Sequence, residues 1–212
     1  MLEQLLHIDT EVLLAINGWN APWADSLMWI VSEKTTWIPL YLLLIGLLVW
    51  RYRQPALNPK WSWMQRIPQY VVIVVVIGLA IGAADFIASG ILKDLVARPR
   101  PTRVPELEGV LHLVNDYRSG QFGFVSSHAA TTMACALLFS WIWRNKIATC
   151  ILMLWVAANC YSRMYLGVHY PLDILGGLIV GILVALIAVA LLRRLGVVYR
   201  GCEMNVEQSN CK

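Results

Sequence analysis

The sequence predicts an all-α integral membrane protein: a helical bundle of about five transmembrane helices, preceded by interfacial helices at the N-terminus. Three observations carry that prediction. Of 212 residues, 58% are apolar and only 14% charged, against about 25% charged in a soluble domain. Five stretches, at 35 to 50, 68 to 92, 124 to 143, 147 to 166 and 171 to 192, meet or approach the length of a spanning helix, which needs about 20 mostly apolar residues. Trp50, Trp61, Trp63, Trp141 and Trp143 gather at the ends of these stretches, where amphipathic indole rings anchor at the membrane interface.

Residues 2 to 30 differ from the rest. Leu5, Ile8, Val12, Leu13 and Ile16 recur at helical spacing among Glu3, Asp9 and Glu11, and Trp19, Trp23 and Trp29 follow. That pattern suits one or two helices lying in the interface, the alternative being a soluble cap packed on the bundle. The first span opens beside Glu33 and Lys34 and runs unbroken from Trp37 to Trp50 apart from Pro39. The second carries Asp85, at helical spacing from Ser89 and Lys93. An acid inside a membrane span is a functional candidate by default, and the expectation here is a supporting bond to a neighbouring helix or to a group behind the site. Gly176, Gly177 and Gly181 on the last span point to close helix packing rather than a phosphate loop.

Cys135, Cys150 and Cys160 lie in apolar runs, Cys202 and Cys211 in a polar tail, and none has metal-site spacing. Free thiols are expected, with no metal site and no cofactor. No internal repeat or low-complexity linker divides the chain, so residues 1 to 212 are read as one domain whose motif-bearing core spans 66 to 192. The N-terminus lacks the basic region and small-residue cleavage site of a secretory signal, so the whole chain is read as mature protein. The net charge of +4 comes without a basic stripe interleaved with exposed aromatics, which argues against nucleic-acid binding. The sequence does not identify a protein partner.

Orientation follows from Lys and Arg in the connections, since cytoplasmic loops keep an excess of them. Arg51, Arg53, Lys60 and Arg66 lie between the first two spans, Arg144 and Lys146 between the third and fourth, and Arg193, Arg194 and Arg200 after the fifth. The N-terminal segment before Lys34 has five acids and no Lys or Arg. The connection from about 93 to 123 therefore falls outside, although it holds Lys93, Arg98, Arg100, Arg103 and Arg118. That breach of the rule asks for a functional cause, and phosphate binding supplies one. Arg98, Arg103, Arg118 and His112 are read as solvated surface, balanced by Glu106, Glu108 and Asp116.

Three segments concentrate the chemistry at that outer face. Lys93 to Pro101 ends the second span, because Pro99 and Pro101 forbid helix continuation, and so sets Lys93 on the last helical turn with Arg100 just beyond. Val125-Ser126-Ser127-His128 opens the third span, with Ser126 as a helix N-cap and the free amides of the first turn favouring an anion. Ser162 and Arg163 close the fourth, and His169 and Asp173 stand four residues apart at the start of the fifth, on one helical face. Asp173 is thereby placed to fix the imidazole tautomer through one ring nitrogen and leave the other free to attack.

These blocks resemble the type 2 phosphatidic acid phosphatases, whose signature runs Lys-x6-Arg-Pro, Pro-Ser-Gly-His and Ser-Arg-x5-His-x3-Asp. The first and third blocks match completely, and the middle one departs, with Val125 in place of Pro and Ser127 in place of Gly. The resemblance implies a membrane enzyme that removes phosphate from a lipid without a metal. Lys93, Arg100 and Arg163 would clamp the phosphate oxygens with Ser126 and the amides near Ser127 and His128. His169 would attack phosphorus, oriented by Asp173, while His128 protonates the leaving oxygen. The family allows undecaprenyl diphosphate, phosphatidylglycerol phosphate, phosphatidic acid and lipid A phosphates; the compact five-span form suggests a bacterial inner membrane, and the loop charges turn the site towards the periplasm.

Three other readings stay open. The phosphoryl group could pass to a lipid or sugar acceptor, making a phosphotransferase. Vanadium haloperoxidases are similar in this pocket but are soluble. A noncatalytic lipid-binding or transport protein on the same fold would be favoured by a missing catalytic residue, and none is missing.

Overall fold

The computed structural model describes residues 1–53 and 67–196. Lys60, Trp61, Trp63, Arg66, Arg200 and the polar tail with Cys202 and Cys211 lie outside the described residues. Eight α-helices form the described chain: α1 (Leu2–Gly18), α2 (Pro22–Ser32), α3 (Ile38–Tyr52), α4 (Gln69–Asp85), α5 (Lys93–Val96), α6 (Ser127–Trp143), α7 (Lys146–Tyr165) and α8 (Pro171–Arg194). A 3₁₀ turn at Lys34–Trp37 leads into α3, and a π-helical stretch at Phe86–Leu92 joins α4 to α5.

Helices stand at all five apolar stretches. Four continuous segments, Lys34–Tyr52, Gln69–Val96, Lys146–Tyr165 and Pro171–Arg194, are long and apolar enough to cross a membrane. The fifth, α6, is only 17 residues long. The apolar count drew its start at 124, but Phe124 to Ser126 precede the helix. α6 is also the most enclosed helix, burying Ala130, Ala134, Leu138, Phe139 and Ile142 among others against α4, α7 and α8. The result is an all-α membrane bundle built around α6.

Small residues set the α6–α8 distance. A methyl group at Gly177 would collide with the Ser126 carbonyl oxygen, and one at Gly181 would come within 2.5 Å of the Ala130 carbonyl oxygen. Close backbone approach of this kind is how helices associate where no hydrophobic driving force separates protein from lipid. Gly177→Ala is expected to destabilise the bundle by about 1 to 3 kcal/mol, the usual cost of overpacking. Gly46, where a methyl group meets nothing within 4 Å, is the control. Unfolding temperature in detergent should fall for Gly177→Ala and not for Gly46→Ala.

The two ends of the bundle differ in kind. At one end, Tyr52 donates to the Ile142 carbonyl at 3.3 Å and Arg193 lies over the Trp141 ring at 5.9 Å. The α6–α7 turn is also there, with Arg144 in the left-handed region (φ 47°) and Asn145 capping α7 through the Ala148 amide at 2.9 Å. The other end gathers the C-termini of α5 and α7 with the N-termini of α6 and α8.

Over that second end lie α1 and α2. α1 buries Asp9, Leu13 and Asn17 and leaves Leu5, Ile8 and Val12 exposed. Leu13 packs with Leu107 and Tyr170, and Ala24 of α2 packs with Val114, Tyr165 and Val168. Asn17 bonds the carbonyls of His112 and Tyr165 at 2.9 and 2.7 Å, tying α1 to both the long connection and α7.

Candidate active site

The helix carrying Lys93 ends where the prolines require. Val96 is its last residue, and Ala97 turns left-handed with φ 50°. Residues 98 to 100 then pair with 121 to 123: the Arg100 amide donates to the Gln121 carbonyl at 3.0 Å and the Gly123 amide to the Arg98 carbonyl at 2.8 Å. This short pairing fixes the direction of Arg100, which is 5% exposed. Its Nε donates to the Phe122 carbonyl at 3.0 Å and its Nη1 to the Val168 carbonyl at 3.1 Å. The same Nη1 stands 3.2 Å from Nε2 of His169.

His169 lies between the left-handed Gly167 (φ 68°) and the start of α8, and is 1% exposed. Burial, reinforced by the charges of Arg100, Arg163 and Lys93, holds its pKa well below the ordinary imidazole value. The ring is therefore neutral at neutral pH. Arg100 facing Nε2 makes that nitrogen the acceptor, which leaves the ring proton on Nδ1. Burial pushes the Arg100 pKa down to about 10, so its guanidinium stays charged.

Asp173 is placed as expected, but its bond to His169 is not. Its Oδ2 is 3.5 Å from Nδ1 of His169, and Nδ1 makes no hydrogen bond. The carboxylate is committed elsewhere: Oδ2 accepts the Tyr170 amide at 3.1 Å and Oδ1 accepts Nη1 of Arg98 at 3.0 Å. Gly123 makes room for it, since a methyl group there would sit 2.8 Å from Oδ2. The Ser126 amide donates to the Asp173 carbonyl at 2.9 Å, which joins the start of α6 to the start of α8.

Ser126 is the N-cap of α6, its Oγ accepting the Ala129 amide at 3.5 Å, and both Ser126 and Ser127 are buried. Arg163, 3% exposed, donates through Nη1 to Ser32 at the end of α2 and lies 6.0 Å from the Tyr117 ring centre. Its Nε is buried without a hydrogen bond. Lys93 reaches Ser89 at 3.3 Å. The π-helical turn between Asp85 and Lys93 resets the face on which Lys93 emerges, and such turns are frequent at functional sites.

Two cavities meet at His128. One, of about 540 Å³, runs between α3, α4 and α6 past Tyr41, Ile45, Ile77, Ile81 and Phe139, and ends at Lys34, Asp85 and His128. The other, of about 210 Å³, is lined by Trp29, Ser32, Lys34, Tyr117, His128 and Arg163. Asp85 lines the apolar cavity and acts electrostatically on Lys93, which keeps it in a supporting place behind the site. Lys34 lies within electrostatic reach of both Lys93 and His128.

The site residues expected from the sequence, Lys93, Arg100, Ser126, Ser127, His128, Arg163, His169 and Asp173, all come to this end of the bundle, with Lys93, Arg100 and Arg163 acting on His169. Several participants were missed. Arg98 is not solvated surface: it bridges Asp9 at 2.6 Å and Asp173 at 3.0 Å, with its side chain 18% exposed. His112 is paired with Asp25 at 2.9 Å. Only Arg103 and Arg118 are exposed, the latter facing Glu108 at 3.4 Å. Asp9, Ser32 and Lys34 enter from the N-terminal region. A signal for Asp9 did exist, since it stands four residues before Leu13 and eight before Asn17, on one helical stripe with them.

The PAP2 superfamily model matches residues 70–196. A lipid A 4'-phosphatase of Bacteroides thetaiotaomicron is 34% identical over 183 residues, covering 85% of this chain and 75% of that protein. A putative undecaprenyl-diphosphatase of Escherichia coli is 28% identical over 197 residues, 92% of this chain and 87% of its own. In fold, the chain is similar to the crystal structure of a transmembrane PAP2-type phosphatidylglycerolphosphate phosphatase from Bacillus subtilis. The TM-score is 0.60 at 18% identity, with 91% of this chain and 88% of that one covered. Motif spacing, helical architecture and these likenesses agree, and the chain belongs to the PAP2 superfamily of membrane lipid phosphatases.

Proposed function

We propose that this protein hydrolyses a lipid phosphate at the extracytoplasmic membrane face through a phosphohistidine on His169, with no metal in the chemistry. The observation that carries the proposal is the state of His169: buried, neutral, and presenting Nε2 to the Arg100 guanidinium at 3.2 Å. Phosphoryl transfer asks mainly for positioning and charge neutralisation. Arg100, Lys93 and Arg163 supply three cations, and the unpartnered Nε of Arg163 is a donor for a phosphate oxygen. The first-turn amides of α6 add the positive end of a helix.

In the proposed sequence Nε2 attacks phosphorus, the bond to the lipid oxygen breaks, and His128 gives that oxygen a proton. Water, deprotonated by His128, then attacks the phosphohistidine and releases inorganic phosphate. His128 lines the junction of both cavities, as the group that meets the leaving lipid must. The apolar cavity suits the lipid's hydrocarbon. Outward orientation is supported by the cationic residues at the opposite end, Arg144, Lys146 and Arg193 among them. The Lys and Arg of the 93 to 123 connection, which breach that rule, are largely accounted for by the site and its ion pairs. A bacterial inner membrane with the site towards the periplasm fits this orientation.

Lipid A phosphate is the substrate class to test first, because the 34% identical relative is named for it. A lipid diphosphate is the second, favoured by Lys34: a fourth cation beside His128 would meet the charged leaving group of a diphosphate. The test is phosphate release from a panel of lipid A, undecaprenyl diphosphate, phosphatidylglycerol phosphate and phosphatidic acid, using the purified chain in detergent. Wild type is expected to release phosphate equally with and without excess chelator. Loss of activity in chelator, restored by a divalent cation, would overturn the metal-free mechanism. Release that depends on an added lipid or sugar acceptor would replace hydrolysis with transfer.

A further inference from the structure

The segment outside the family match supplies a buried acid at the back of the nucleophile. Asp9, on α1, is 4% exposed and carries two specific bonds. Its Oδ2 takes Nη2 of Arg98 at 2.6 Å, and its Oδ1 takes the Leu172 amide at 2.8 Å. Leu172 is the second residue of α8, whose N-cap, Tyr170, leaves that amide without a local partner, so α1 caps α8 from outside. Arg98 spends its other nitrogen, Nη1, on Oδ1 of Asp173 at 3.0 Å, and its guanidinium lies 3.9 Å from the centre of the Tyr170 ring.

From these contacts we infer that Asp9 is a positioning residue for the reaction, acting through Arg98 on Asp173 and so on His169. The inference rests on His169 being the nucleophile. The geometry gives the reason. Asp173 makes no hydrogen bond to His169 and faces Nδ1 at 3.5 Å, so on the Nδ1 side the imidazole is oriented by where the carboxylate stands, while Arg100 holds Nε2 and the Gly123 backbone also bears on the ring. The carboxylate is held on one side by the Tyr170 amide and on the other by Arg98. Arg98 in turn is fixed by Asp9 and the face of Tyr170.

The fork of Arg98 is used as a fork, with one terminal nitrogen for each carboxylate, which an ammonium group cannot reproduce. Two buried carboxylates around one guanidinium also hold each other in place, since removing either leaves the arginine free to shift towards the other. The anchor is a helix that also carries exposed apolar side chains at Leu5, Ile8 and Val12. Seating of α1 on the bundle and alignment of the nucleophile are thereby one event.

The test uses the panel lipid that wild type turns over fastest. Asp9→Asn, nearly isosteric, is expected to lower kcat about 10- to 100-fold with KM within about twofold, the signature of a misaligned nucleophile and an intact binding site. Arg98→Gln should lower kcat similarly, and the double variant should be no worse than Arg98→Gln alone, because both act through one contact. Wild-type kcat in Asp9→Asn, a loss confined to KM, or multiplying losses in the double variant would overturn the inference. If Asp9→Asn does not yield folded protein, Arg98→Lys takes its place: kcat should fall and KM hold, and unchanged kcat would refute the relay. An active His169→Ala would instead refute the phosphohistidine mechanism itself. An inactive His169→Ala beside a fully active Asp9→Asn would refute the relay alone.

Discussion

His169→Ala is expected to lower kcat/KM for lipid phosphate hydrolysis by about 10⁴-fold or more, the scale seen when a covalent nucleophile is removed. Its partners cannot substitute for it. Arg100, Arg163 and Lys93 are cations placed around the imidazole, able to bind phosphate without attacking it. Binding should therefore survive: the variant is expected to hold lipid phosphate with affinity near that of wild type, seen as competition in a mixed-substrate assay or directly by calorimetry. His169→Gln separates charge from nucleophilicity, since its amide keeps polar contact with Arg100 but lacks a nucleophilic ring nitrogen. Because burial and the neighbouring cations hold the imidazole pKa well below its ordinary value, the nucleophile stays neutral at and below pH 6.5. An acid limb of the wild-type pH profile near that value would then belong to another group. Turnover by His169→Ala within tenfold of wild type would remove the nucleophile from the scheme.

His128→Ala is expected to lower kcat by about 10² to 10⁴-fold on an alkyl phosphate, the usual range for losing a general acid. The loss in the first, phosphoenzyme-forming step should shrink sharply on an aryl phosphate such as p-nitrophenyl phosphate, whose leaving group departs without a proton. With that substrate the variant should accumulate phosphoenzyme, since His128 also activates the water of the second step. A burst of p-nitrophenol followed by slow turnover reads both effects together. Equal losses on alkyl and aryl phosphates, with no burst, would assign His128 to binding instead. Its position at the meeting of the apolar and polar cavities supports the leaving-group role.

Most of the helical architecture and the convergence of the motif residues were legible in the sequence, because both are written locally. Apolar runs of spanning length locate helices, and Pro99, Pro101 and Ser126 mark where they stop and start. Lys93, Arg100, His128, Arg163 and His169 are then brought together by the alternation of helices alone. Three things were not legible. The start of α6 was drawn too early because composition does not distinguish apolar residues in a site-forming connection from those in a span. The π-helical stretch at Phe86–Leu92 has no local signature, since Phe-Ile-Ala-Ser-Gly-Ile-Leu reads as ordinary helix.

The contacts that complete the site were hidden by distance along the chain. Asp9 and Arg98 are 89 positions apart, and Ser32 and Arg163 are 131 apart. Arg98 looked solvated because its sequence neighbours include exposed cations and acids. Which of five cations in one connection is buried depends on what packs over it, here α1. The bond from Asp173 to His169 was inferred from helical spacing, which correctly puts them on one face but does not show that Arg98 and the Tyr170 amide already occupy the carboxylate.

Trapping the phosphoenzyme tests the central claim most directly. Purified protein would be mixed with lipid carrying radiolabelled phosphate, quenched in alkali during turnover, and digested to find the labelled peptide. The expected result is label on the peptide containing His169, stable in alkali and lost in acid as a phosphoramidate should be, and no label on His169→Ala. Steady phosphate release by wild type with no label on the protein, or acid-labile label persisting in His169→Ala, would contradict it.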